Sequence, residues 1–155
     1  MAYRIKGLDP ESFRKFFGLS DDELARNGVV RYTADSHPGF PDRVAMRDLE
    51  IGETALLLNH EHLPVASPYR SCHAIFVHEG ADTAYDRVDV VPDVMKRRPI
   101  ALRGFDDKGF MVDADIVEGD AVEPLILKLF ENPDIDYIHA HYAKRGCFSG
   151  LIERA

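Results

Sequence analysis

The sequence predicts an α+β fold. One domain spans residues 1–155, with a mainly antiparallel or mixed sheet, three or four helices, and the longest helix packed on one face. Three observations carry this reading. Apolar runs of strand length recur along the chain and are joined by short turns, which favours antiparallel neighbours. Only one segment, "DAVEPLILKLFENP", shows a long helical stripe. Long helices do not alternate with the strands, as parallel βαβ units require.

The elements follow in order. "YRIKGL" alternates and reads as a short strand. "LDPESFRKFFG" reads as a helix: Asp9 caps it, Pro10 suits its first turn, Gly18 stops it, and Phe13, Phe16 and Phe17 turn inward. "SDDELARNG" is a second short helix, with Ser20 and Glu23 spaced as a capping box. "VVRYTAD" is a strand and "SHPGFPDR" a loop. "RVAMRDL" reads as a half-buried strand, because Val44 and Met46 alternate with Arg43 and Arg47. "ETALLLNHEH" reads as a central strand, since Ala55 to Leu58 is continuously apolar. "HAIFVHE" reads as a second central strand.

"ADTAYDRVDVVPDV" gives a short strand or loop, then one helical turn from Pro92 to Arg98. "PIALRGFDDKGFMVDADIVEG" is a hairpin turning at Gly109, where φ > 0 is tolerated. In the long helix Asp120 is the expected cap, and Val122, Leu125, Ile126, Leu129 and Phe130 form the buried stripe. Asn132-Pro133 ends it. "DYIHAHYA" and "CFSGLIER" pair as a hairpin around "KRG".

The bulk numbers restrict function. Lys and Arg total 19 and acids 27, so the formal charge is 19 − 27 = −8, which repels a phosphate backbone. The one dense basic run, Lys96, Arg97 and Arg98, reads as a solvated helix end. No nucleic-acid partner is expected. No apolar run approaches the ~20 residues of a membrane span, so no membrane association is expected either. "MAYRIKGLDPESF" has no signal-peptide apolar region. Cys72 and Cys147 do not make a disulfide framework, and a cytoplasmic protein with reduced thiols is expected. A homodimer is compatible with all of this. Walker, G-x-G-x-x-G, G-x-S-x-G and H-E-x-x-H motifs are absent, which disfavours kinases and dinucleotide oxidoreductases.

The chemistry-bearing residues cluster at strand ends. In "SPYRSCHAIF", Tyr69, Arg70 and His73 crowd the junction of a loop and an apolar strand. Cys72 and His73 are neighbours on a strand, so they face opposite ways and cannot form a dyad. Cys72 reads as a small hydrophobe. "NHEH" puts His60 and His62 on one side, and "IHAH" does the same for His139 and His141. Converging neutral imidazoles suit Zn, Fe, Ni or Cu. However, no carboxylate follows His62 as a third ligand, and two H-x-H runs need not meet in space. No metal ligands are therefore assigned, and less than one tightly held metal per chain is expected. Asp113 and Asp115 share one face of a hairpin strand and read as its solvated side. Cys147 has Lys144 and Arg145 beside it in sequence.

Three classes of function remain. The favoured one is binding of, or action on, a small anionic ligand in a pocket lined by His and Arg. Its catalytic candidates are His73, His141 and Cys147; Tyr69, Arg70, His62 and His139 hold the ligand. The alternatives are a His-based transition-metal-binding protein and a structural or protein-interaction module. Whether the chain is an enzyme stays open, as does any cofactor.

Several stretches resemble one bacterial family, the domain-of-unknown-function family 1203. They are "YRIKGLDP" with "FGLSDDEL", then "GETALLLNHEHLPVASPYRSCHAIFVHEG", then "MVDADIVEG" with "YIHAHYAKRGCFSGLIER". The resemblance runs in order along nearly the whole chain. It implies one small domain with a site around "SPYRSCHAIF" and "HAHYAKRGC", and it brings no established activity. In similar chains His60 is often Tyr and Cys72 often Ser. That takes weight from both residues and leaves it on Arg70, His73, His141 and Cys147.

Overall fold

The computed structural model describes residues 1–155 as nine strands and three α-helices in two antiparallel sheets. The strands are β1 (Tyr3–Lys6), β2 (Val30–Thr33), β3 (Thr54–Leu63), β4 (Ser71–His78), β5 (Asp86–Val88), β6 (Ile100–Phe105), β7 (Met111–Val117), β8 (Tyr137–Tyr142) and β9 (Phe148–Arg154). The helices are α1 (Asp21–Arg26), α2 (Asp93–Lys96) and α3 (Val122–Phe130). One sheet has the order β5-β1-β9-β8-β6-β7; the other is β2-β3-β4. No helix is long and apolar enough to cross a membrane.

The stripe of α3 explains the first core. Val122, Leu125, Ile126, Leu129 and Phe130 are all buried, in one cluster with Ile100, Leu102, Ile138, Ala140 and Ile152 of the six-stranded sheet. Each such aliphatic side chain contributes about 1.5–3 kcal/mol of burial energy. Strand alternation then fixes the other face. If Ile138 and Ala140 point to α3, His139 and His141 point away from it. A second core joins Leu56, Leu58, Ile75 and Val77 of β3 and β4 to Phe13, Leu24 and Phe148. The histidines of β8 therefore lie between two apolar layers.

The hairpins form as expected. β6 pairs with β7 and β8 with β9, and Gly109 and Gly146 take φ of +78° in their turns. The Ser20–Glu23 capping box is complete in both directions.

Other expectations are corrected. Residues 10–16 form two short 3₁₀ turns rather than one helix, and of the three phenylalanines only Phe13 is fully buried. Clustered aromatic side chains lose rotamer freedom in a helix, and this short segment has no continuous stripe to compensate. Arg43–Arg47 is not a strand. The Asp42 carboxylate accepts the backbone N–H groups of Val44 and Ala45, 3.1 and 2.7 Å away, and diverts them from a ladder. Asp120 does not cap α3; it lies in a 3₁₀ turn, and Ala121 holds the cap position without a side-chain bond. β4 is an edge strand, not a central one. The basic run is only partly a solvated helix end: Lys96 and Arg97 are exposed, but Arg98 is half-buried, and Arg97 and Arg98 both reach the buried carboxylate of Asp48.

Candidate metal centre

The inward face of β3 reads Leu56, Leu58, His60, His62. The first two are buried in the core, and the imidazoles begin where the apolar run ends. Register slips between His60 and Leu63 on β3, and between Ala140 and His141 on β8. Such bulges re-aim side chains at the end of a ladder. Here His62 of one H-x-H pair meets both histidines of the other, which lies on a different sheet.

Four rings meet there. His62 is sandwiched, with His73 stacked on one side and Phe148 stacked nearly parallel, each at 4.9 Å between centroids. His139 and His141 meet His62 edge-on at 5.5 and 5.0 Å. His73 and His141 are 5.3 Å apart. Nδ1 of His73 lies 2.9 Å from Nε2 of His62, and the Nδ1 atoms of His62 and His139 are 3.4 Å apart. Nitrogens of His62, His139 and His141 all fall within 4.8 Å of one another.

The electrostatics keep these rings neutral. Burial, with repulsion from His73, lowers His62 to about 4. Burial is also the main cause at His139 and His141, both lowered to about 3. His73 is lowered by burial and by the nearby Arg103. No carboxylate offsets these effects. Neutral imidazole is the form that ligates metals.

His141 shows which nitrogen is offered. Its Nδ1 is 2.9 Å from the carbonyl of Gly146, which can only accept, so Nδ1 carries the proton. Nε2 then presents a lone pair. This atom is fully buried and has no hydrogen-bond partner. A backbone carbonyl on the far nitrogen is the usual outer support of a metal-binding histidine.

Distances fit the same reading. Tetrahedral ligands at about 2.0–2.1 Å from a metal are ~3.4 Å apart. The His62–His139 separation of 3.4 Å matches that edge and is long for a hydrogen bond. A cleft of about 480 Å³ opens on His62 and His139.

The remaining sequence candidates fall elsewhere. His60 packs on Phe13 at 5.7 Å, outside the ligand set. Tyr69 is exposed and lies edge-on to Phe105 and Phe110. Arg70 is exposed and ion-paired with Glu61 at 3.1 Å, so its guanidinium is already engaged. Cys147 is half-buried with Sγ 3.1 Å from Arg43, while Lys144 and Arg145 point into solvent. Asp113 and Asp115 are exposed on β7 and bond neighbouring backbone N–H groups. No third ligand follows His62 in sequence, but His62 of one sheet lies close enough to His139 and His141 of the other for the three to share an ion.

Two residues near the cluster were given no functional role from sequence, and Arg43, read as the polar side of a half-buried strand, is instead 2% exposed. Arg43 is buried behind the cluster and bonds the Phe148 and Pro41 carbonyls. Arg103 pairs in register with His139, so both side chains share a face. Its signal was a lone charge inside the apolar strand "PIALRGF".

A family model with the description "Protein of unknown function (DUF1203)" matches residues 39–154, which include all four clustered histidines. No curated protein and no solved structure matches the chain.

Proposed function

The chain belongs to the DUF1203 family, and we propose that it binds a divalent transition metal through His62, His139 and His141. One observation carries the proposal: the buried, unpartnered Nε2 of His141, whose tautomer the Gly146 carbonyl fixes. Buried polar atoms are ordinarily hydrogen-bonded; Tyr3 Oη and Ser149 Oγ are also buried without a partner, but only His141 Nε2 is an imidazole nitrogen grouped with two other imidazoles. The ligand set is all imidazole, which suits Zn, Fe, Ni or Cu better than Mg or Ca. Three protein ligands leave a fourth position for water or for a donor atom of a small molecule. The cleft at His62 and His139 is the entry path. His73, stacked on His62 and half-buried, flanks that position as a proton carrier or a fourth ligand.

This reading replaces both the expectation of a metal-poor protein and the one that placed an anion on Arg70. Chelator-treated protein is titrated with Co(II) and followed by its visible spectrum and by calorimetry. The expected result is one Co(II) per chain with the intense bands of a four- or five-coordinate ion. His139→Ala and His141→Ala are expected to lose it while keeping their circular dichroism. A wild-type protein that takes up no stoichiometric Co(II) or Zn(II), or folded variants that bind it equally well, sinks the proposal.

A further inference from the structure

Seven arginines are not fully exposed: Arg4, Arg31, Arg43, Arg47, Arg98, Arg103 and Arg154. Six have partners. Arg4, Arg31, Arg47 and Arg98 pair with carboxylates, and Arg43 and Arg154 donate to backbone carbonyls. Arg103 alone makes no hydrogen bond and no ion pair, and none of its guanidinium nitrogens is fully buried.

A half-buried charge without a counter-ion costs free energy, and proteins ordinarily pair it. Arg103 sits on the face of β6 that carries the imidazoles, opposite His139 in the ladder. Its charge is felt at His62, His73, His139 and His141. Its neighbours on that face are Ala101 and Phe105, and across the ladder from it on β7 lies Ala114, so no acid stands beside it. Of the acids lining the cleft at His139, Glu153 lies on β9 and Asp136 just precedes β8, and neither forms an ion pair with Arg103.

We infer that Arg103 is the anchor for the carboxylate end of a small organic acid, whose other end reaches the imidazole cluster. The planar guanidinium fork matches a carboxylate with two parallel N–H···O bonds. Neutral histidines beside it add no competing positive charge. The ligand's second donor would take the open position of the metal, so that half of the inference rests on the proposed metal centre. The carboxylate contact does not.

The Nε–Hε resonance of Arg103 tests this, assigned as the peak missing from Arg103→Met. Wild-type protein, metal-free and Co(II)-loaded, is titrated with acetate and with inorganic phosphate against chloride at equal ionic strength. A saturating shift with acetate is expected in both forms, with chloride giving none. Losing the charge-assisted pair should weaken acetate binding about 10–100-fold by calorimetry in Arg103→Met, and Arg103→Lys should restore part of it. Saturation by phosphate but not acetate would replace the carboxylate with a phosphate ligand and overturn the stated class. A linear shift equal to that of chloride, or equal acetate affinity in Arg103→Met, overturns the site. Failure of the metal reading shows separately, as an absent Co(II) spectrum with the anion shift intact.

Discussion

Two buried polar regions of this chain are built on opposite rules. At one, Asp48 is completely enclosed and accepts from Arg97 and Arg98, with Arg97 at 2.9 Å, and the Arg98 guanidinium lies over the Tyr142 ring. Burial alone would raise the Asp48 carboxyl, but the two guanidinium partners outweigh it and hold the group below its usual range. At the other, four imidazoles crowd together with no carboxylate and one orphan nitrogen. The first region is closed on itself. The second is unfinished, and an unfinished buried cluster is where a ligand belongs.

Acid separates the two regions most strongly. The folded-state pKa values of His62, His139 and His141, about 4, 3 and 3, lie below the ordinary 6.5. Between those limits the unfolded chain binds protons that the folded chain does not. Stability of the metal-free protein is thus full above about pH 7 and falls as pH drops toward 4. Each group contributes about 1.4 kcal/mol per pH unit, up to ~4 for the three together. Asp48, with a depressed pKa, keeps its contribution until pH falls into the acid range below the ordinary carboxylate value. Urea unfolding of wild type and His139→Phe between pH 7 and 5 checks this. A wild-type curve flat over that range, or one as steep in the variant, breaks the distinction. Bound metal should hold the rings unprotonated and shift the loss to lower pH.

Removing a partner from the closed region is the next largest effect. Asp48→Asn leaves Arg98 with a neutral amide in place of its carboxylate. It should cost about 3–5 kcal/mol at pH 7, as breaking a buried pair does. Metal uptake by whatever fraction folds should be unchanged. A loss under about 1 kcal/mol would mean solvent screens this pair as it does surface ones.

How much of this could be read beforehand follows from the range of each signal. The α3 stripe and the hairpins were legible, because helical spacing and turn residues act over a few neighbours. That His139 and His141 share a face was legible for the same reason. Their meeting with His62 was not, because it depends on how two sheets stack and on two bulges that no local pattern announces. Arg97 and Arg98 looked solvated because their partner, Asp48, lies about fifty residues earlier. Arg103 was passed over for the opposite reason. It lacks a motif, and its meaning lies in the partner it does not have.

Arg103→Met sharpens the comparison from the open side. In the ligand-free protein nothing is stranded by the change, and an unpaired half-buried charge is replaced by an apolar chain of similar reach. The melting temperature should stay level or rise, as often happens when a site residue is removed. A drop worth more than about 1 kcal/mol would show Arg103 to be a structural partner of some group.

The smallest effect belongs to Arg70, the arginine that its neighbours in sequence made conspicuous. It is 65% exposed, and its partner Glu61 is 40% exposed. Both side chains are long, sit in high dielectric and are screened by salt, so the pair is worth about 0–1 kcal/mol. Arg70→Ala should therefore unfold at nearly the wild-type urea midpoint, with the difference vanishing in 0.5 M NaCl. Its acetate affinity should also match wild type, because the guanidinium is turned to Glu61 rather than left free like that of Arg103. Should Arg70→Ala lose acetate binding while Arg103→Met keeps it, the roles of the two arginines are exchanged. The anion site would then lie on the loop before β4 and not on the face of β6.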